Sequence, residues 1–160
     1  MSQLSGTVNI VLARVDNRLV HGQVGVVWTK TVNASTILIV DDYAASDYVQ
    51  QEIMNRTIKA EEIEILYWSV EKTKKAYPTL VDKRILLITR YPMEMNELVA
   101  AGLPIKKVNL GIMHPDVGKR KLTDSFIYVD DTELEAITNI KECGIPVSAQ
   151  VLPSQPEIFL

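Results

Sequence analysis

The sequence predicts an α/β fold: three layers, a mainly parallel sheet with helices on both faces, and antiparallel strands at its edges. Three observations carry this. Short continuous apolar runs, Thr36 to Val40 and Arg84 to Thr89 among them, recur along the chain and read as strands buried on both faces. Segments with helical spacing alternate with them, the order that wraps helices around a parallel sheet. The 160 residues hold no repeat, low-complexity tract or Pro/Gly/Ser-rich linker, so residues 1–160 read as one domain.

The elements follow in order. Val8 to Ala13 is a β-branched apolar run broken at Arg14, a strand entering a loop. From Gln23 to Val32, residues at Val24, Val27, Trp28 and Thr31 or Val32 recur with helical spacing and give a helix. Thr36 to Val40 is a strand closed by Asp41 and Asp42. Asp47 to Lys59 then predicts a helix capped by Ser46 or Asp47, with Val49, Ile53, Met54 and Thr57 on one face. Ile63 to Trp68 is a strand, and Ser69 opens a short helix stopped at Pro78. Arg84 to Thr89 is a core strand. Pro92 starts a helix that Gly102 ends. Val108 to Gly111 is a brief strand, Lys121 to Val129 a hairpin or pair of edge strands, Asp131 to Gly144 a helix, and Val147 to Val151 the last strand.

Composition narrows the function classes. Seventeen Lys and Arg against twenty Asp and Glu give a net charge of −3, which argues against a basic nucleic-acid binder. One cysteine, Cys143, excludes an internal disulfide, a Cys-rich zinc site or an iron–sulfur cluster within the chain; before Gly144 it reads as a small packed residue. No secretory pattern opens the sequence, and no apolar run approaches the ~20 residues of a membrane span, so a cytoplasmic protein is expected. Charge is uneven: positions 41–66 hold seven acidic and two basic residues, and 106–121 five basic and one acidic. The basic cluster could attract an anion or an acidic surface.

In this fold class, sites form beyond the carboxyl ends of strands, here the loops after Ala13, Val40 and Leu110. The first gathers Arg14, Asp16, Arg18, His21 and Gly22 just before a helix. A helix start offers unpaired amides, from Gly22 and Gln23 onward, and a positive dipole end that favours an anion. Arg14 and Arg18 supply guanidinium forks, and Gly22 permits positive φ or close approach. His21 is one of only two histidines, and neutral imidazole is a nitrogen nucleophile at physiological pH. This set suits a histidine that accepts a phosphoryl group. The other histidine, His114, reads either as a second polar group on the rim of that site or as a loop histidine held by Asp116. Asp41 and Asp42 admit an alternative function, a receiver-like or nucleotide-binding module using a magnesium pair, though acidic residues after a strand are also ordinary turn formers.

The run Arg14-Val15-Asp16-Asn17-Arg18-Leu19-Val20-His21-Gly22-Gln23-Val24, continued by Trp28-Thr29, closely resembles the phosphorylation-site motif of IIB components of the bacterial sugar phosphotransferase system, mannose/fructose/sorbose family. The likeness continues through Asp41-Asp42, Gly111-Ile112-Met113-His114, Tyr128-Val129-Asp130-Asp131 and Gln150-Val151-Leu152-Pro153. Ile112 departs from an asparagine common in the family. The resemblance implies that His21 takes a phosphoryl group, at Nδ1, from a phosphohistidine on a IIA protein. It would then pass the group to a sugar held by the membrane components IIC and IID, with the protein attached to the membrane only through them. Arg18 would grip the phosphoryl oxygens, Arg14 would be a second cation or face the partner, Asp16 would orient Arg14 or Arg18, and amides near Gly22 and Gln23 would complete the cradle. No cofactor or metal is implied. The wording from Asp16 to Val26 looks most like the N-acetylgalactosamine branch, with mannose, fructose and sorbose as alternatives. Open sheet edges would also allow a homo-oligomer.

Overall fold

A computed structural model describes residues 6–58 and 63–160; the side chains of Gln23 and Val24 also fall outside the description, as do the predicted helix end at Lys59 and the opening residues 1–5. The strands are β1 (Asn9–Asp16), β2 (Thr36–Val40), β3 (Glu64–Trp68), β4 (Arg84–Thr89), β5 (Val108–Ile112), β6 (Arg120–Lys121), β7 (Tyr128–Val129), β8 (Val147–Ala149) and β9 (Ile158–Phe159). The helices are α1 (Gly22–Thr31), α2 (Asp42–Ser46), α3 (Tyr48–Ile58), α4 (Val70–Ala76), α5 (Pro92–Ala100) and α6 (Asp131–Glu142). Seven strands form one sheet in the order β3-β2-β4-β1-β5-β8-β9. All pairings in it are parallel except the last, where β9 runs antiparallel to β8. The expected hairpin is a separate two-stranded piece, β6 against β7.

Strand alternation sorts the apolar side chains into two cores. Leu12, Ile37, Ile39, Leu86 and Ile88 meet Trp28 of α1 and Met54 and Ile58 of α3 on one face. Their neighbours Ala13, Leu38, Val40, Leu87 and Leu110 meet Met95 and Leu98 of α5 and Ile137 and Ile140 of α6 on the other. Both cores follow from the period of two along each strand. Helix ends also match local chemistry. Ser69 caps α4 through Lys72 N–H, and Asp130 with Glu133 forms a reciprocal capping box on α6.

Four expectations need correction. Cys143, expected as a small packed residue, is exposed, because it sits just past the end of α6. The first strand does not end at Ala13: Arg14 and Val15 continue β1, paired with both β4 and β5, and Asp16 still pairs with Ile112 of β5 after a register shift, because backbone partners persist beyond the apolar run. The helix expected from Asp47 is preceded by a short α2 that Asp41 caps, while Asp47 still accepts from Val49 and Gln50 N–H at the start of α3. On α3, Met54 and Ile58 face the core, whereas Val49 and Ile53 are exposed. Both pairs have i, i+4 spacing, so the periodicity could not select between adjacent stripes.

Candidate phosphoryl-transfer site

The chain leaves β1 for β2 on one side, returns through β4, and crosses to β5 on the other side of β1. Strand order therefore reverses around β1, and the crevice at its carboxyl end lies between the ends of β4 and β5. The segment from Asp16 to Gly22 occupies it.

Arg14 and Asp16 alternate with Ala13 and Val15 and so project toward α1. Arg14 is buried and lies over the Trp28 ring, 5.1 Å from its centroid. Its guanidinium donates to Asn109 Oδ1 and to the carbonyls of Gln150, at 2.9 Å, and Val151, at 3.0 Å. Its fourth acceptor is Asp16 Oδ2, at 3.4 Å. Burial pushes the Arg14 guanidinium down to about 10, against the upward pull of Asp16, so it stays protonated at neutral pH. Gly111 makes room for it: a Cβ there would stand 2.1 Å from Nη2. Arg14 thus cannot face a partner, the second of the two roles the sequence left open.

Asp16 is buried too and serves three groups. Oδ1 accepts the Arg18 N–H at 2.9 Å, an Asx turn that starts the loop. Oδ2 lies 3.4 Å from both Arg14 Nη2 and His21 Nε2. Asp16 therefore orients Arg14 through its side chain but meets Arg18 only at the backbone. Leu19 N–H closes the turn onto Asp16 C=O at 3.0 Å with Leu19 at φ 56°. His21 is the extended residue before α1, with φ −149° and ψ 141°, and its side chain is 14% exposed. The ring is thus positioned but reachable. Gly22 follows at φ 46° with open space where a Cβ would stand, so conformation and not close packing requires glycine there. The first helical bond runs from Gly25 N–H to His21 C=O at 3.3 Å. The amides of Gly22 and Gln23 precede it and have no partner within the helix.

Arg18 is exposed. His114 is exposed as well, with its ring edge-on to Phe126 at 5.9 Å. Its backbone N–H donates to Asn17 Oδ1 at 2.7 Å, which places the β5 loop against the first loop. Asp116 instead accepts from Val117 N–H. The basic cluster is largely neutralised: Lys107 pairs with Glu157, Lys119 with Glu133 and Arg120 with Asp131. Asp41 caps α2 and pairs with Arg90, and Asp42 accepts from Val70 N–H. Both carboxylates of the alternative reading are engaged in structure, and no cluster of metal-ligating side chains occurs among the described residues.

Sequence reasoning missed Trp28, Asn109, Gly111 and the Gln150 and Val151 carbonyls as partners of Arg14, and missed Arg90. Asn109, a polar residue inside the apolar run Val108 to Ile112, was the one local signal available.

Comparison with known proteins defines the class. The fold matches the crystal structure of PTS system N-acetylgalactosamine-specific IIB component 1 from Escherichia coli with a TM-score of 0.91 and 38% identity, covering 95% of this chain and 99% of that one. Such a protein is a phosphotransferase of the enzyme IIB type. The family is equally plain: the sequence pattern described as PTS system sorbose subfamily IIB component matches residues 10–158, and the chain belongs to that family. It is 42% identical over 149 residues to the N-acetylgalactosamine-specific phosphotransferase enzyme IIB component 1 of Escherichia coli, spanning 91% of this chain and 92% of the relative. It is also 30% identical over 151 residues to the mannose-specific EIIAB component of Escherichia coli, covering 93% of this chain and 46% of that protein.

Proposed function

We propose that residues 1–160 form one IIB domain in which His21 accepts a phosphoryl group from a phosphohistidine on a IIA protein and passes it to a sugar. The observation that carries this reading is the contact of His21 Nε2 with Asp16 Oδ2 at 3.4 Å, at the start of α1. An ionised carboxylate only accepts, so Nε2 carries the proton and Nδ1 keeps the lone pair. Nδ1 attacks phosphorus as the donor's N–P bond breaks. The ring gains positive charge as the new bond forms, and Asp16, itself fixed by buried Arg14, stabilises that charge. Arg18 and the amides of Gly22 and Gln23 neutralise the phosphoryl oxygens, which leaves no step for a metal or cofactor. His114 sits on the rim as a second polar group.

The donor is inferred from the EIIAB relative, whose name joins A and B parts. The sugar is N-acetylgalactosamine, on the strength of the 42% identical relative, and membrane components IIC and IID hold it. The protein is then cytoplasmic and peripheral, attached to the membrane through them; no helix among the described residues is long and apolar enough to cross a membrane.

Incubation with phosphoenolpyruvate, the two general phosphotransferase proteins and a IIA partner should add one acid-labile, hydroxylamine-resistant phosphate, and His21→Gln should not label. A His21→Gln protein that labels like the wild type would remove the assignment.

A further inference from the structure

The loop bearing His21 is gripped at one residue, Asn17, by the ends of both neighbouring strands. Asn17 N–H donates to Ile112 C=O at 2.9 Å, and its Oδ1 accepts the His114 N–H at 2.7 Å, on the β5 side. Its side-chain amide donates to Arg90 C=O at 2.8 Å, just beyond β4. Arg90 returns the bond, donating from Nη1 to Asn17 C=O at 3.2 Å. The rest of its guanidinium is anchored across the sheet. Nε and Nη2 reach the two Asp41 oxygens at 3.3 and 3.2 Å, and Nη2 also reaches Gln50 Oε1 at 3.2 Å. Asp41 is held in turn by the Ala44 N–H at 2.9 Å.

We infer that Arg90 is a positioning residue for phosphoryl transfer: anchored on Asp41, it fixes Asn17 and with it the approach of His21 to the donor phosphorus. Three arguments support this. All three donor nitrogens of Arg90 are engaged by protein acceptors, so it is not placed to bind phosphate. The turn it secures contains Leu19 at φ 56°, a left-handed conformation that side chains disfavour and that persists only where surroundings hold it. In-line transfer between two proteins depends chiefly on alignment, and a small displacement of the nucleophile costs rate without costing partner affinity.

This rests on the reading of His21 as the phosphoryl acceptor. The test uses Arg90→Lys, which keeps the charge but cannot bridge Asn17 and Asp41 together, and Asn17→Asp, which keeps the acceptor for His114 N–H but loses the donor to Arg90 C=O. Transfer from phospho-IIA should slow by about 10-fold in each at saturating IIA, with the half-saturating IIA concentration changed by less than about 2-fold. The double variant should be no slower than the slower single, because both changes break one linkage. Exchange of the His114 amide should speed up by about 10-fold in Arg90→Lys. A full rate in Arg90→Lys, independent losses that multiply, or a change confined to half-saturation would each overturn the inference. Should either variant unfold, Gln50→Met, which removes only one support of Arg90, should still slow transfer about 3-fold, and an unchanged rate would overturn the inference. Labelling of His21→Gln would instead defeat the phosphoryl-acceptor reading, with the amide exchange still reporting on the clamp.

Discussion

Replacing Gly111 by alanine tests how tightly the buried cation beneath the site is held. The added Cβ would lie 2.1 Å from Arg14 Nη2, 2.2 Å from Cζ and 2.6 Å from Nε, so the rigid guanidinium plane itself, not a flexible chain end, is in the way. Arg14 cannot step aside without leaving Asn109 Oδ1, two backbone carbonyls and Asp16. Withdrawing one partner of a buried ion pair costs about 3–5 kcal/mol, and each orphaned acceptor adds about 1 kcal/mol. Allowing for partial relaxation of β5, a loss of about 4 kcal/mol is expected, a large share of the roughly 5–15 kcal/mol that holds a domain together. For a domain of this size that lowers Tm by roughly 8–16 °C. Urea and thermal unfolding followed by circular dichroism would measure it. Gly118→Ala is the control, because Gly118 has φ 81° but open space around it, so only the conformational cost of about 1–2 kcal/mol applies. A loss at Gly111 below about 1 kcal/mol, or no larger than at Gly118, would refute the packing argument.

Two further outcomes are expected. Burial, then the nearby Asp41, Glu97 and Asp42 charges, push the Glu94 carboxyl up to about 7, and its Oε2 is buried without a partner. Between its ordinary 4.5 and about 7 the folded state holds the proton that the unfolded state has lost, so this contribution to stability is complete below 4.5 and disappears as pH rises through 7. Discounted for partial exposure it amounts to about 1–2 kcal/mol; Glu94→Gln should match the wild type near pH 5 and exceed it by that amount at pH 8 in urea midpoints, and a parallel pH profile would contradict this. Arg18→Ala should slow phosphoryl transfer on the order of 100-fold while leaving Tm and IIA half-saturation nearly unchanged, since Arg18 is exposed; equal losses in rate and binding would make Arg18 a docking residue.

Much of the fold was legible because its signals are local. Thr36 to Val40 and Arg84 to Thr89 read as buried strands from composition alone, and Pro92, Gly102 and Asp131 marked helix ends through backbone chemistry acting within a turn. The two-residue β9 carried no such signal: it is a strand only because β8 offers an open edge. The face of α3 was misjudged because two apolar stripes shared one spacing, and only the sheet beneath decides which is covered. At the site, Arg14, Asp16, Arg18, His21 and Gly22 stood out because they are close in sequence. Asn109, Gly111, Gln150 and Arg90 come from distant strand ends, and apart from the polarity of Asn109 within its apolar run nothing local announces their contacts.

The sequence by itself determined the α/β class, the strand end that bears the candidate site, and His21 as the candidate nucleophile, because periodicity and residue chemistry act over a few neighbouring positions. Tertiary structure alone decided that Arg14 is a buried support, that Asp16 meets His21 at Nε2, and that Arg90 ties the loop to Asp41. Those contacts depend on strand order, which brings β4, β1 and β5 side by side although their sequences lie far apart, and on burial, which makes each buried charge require partners there.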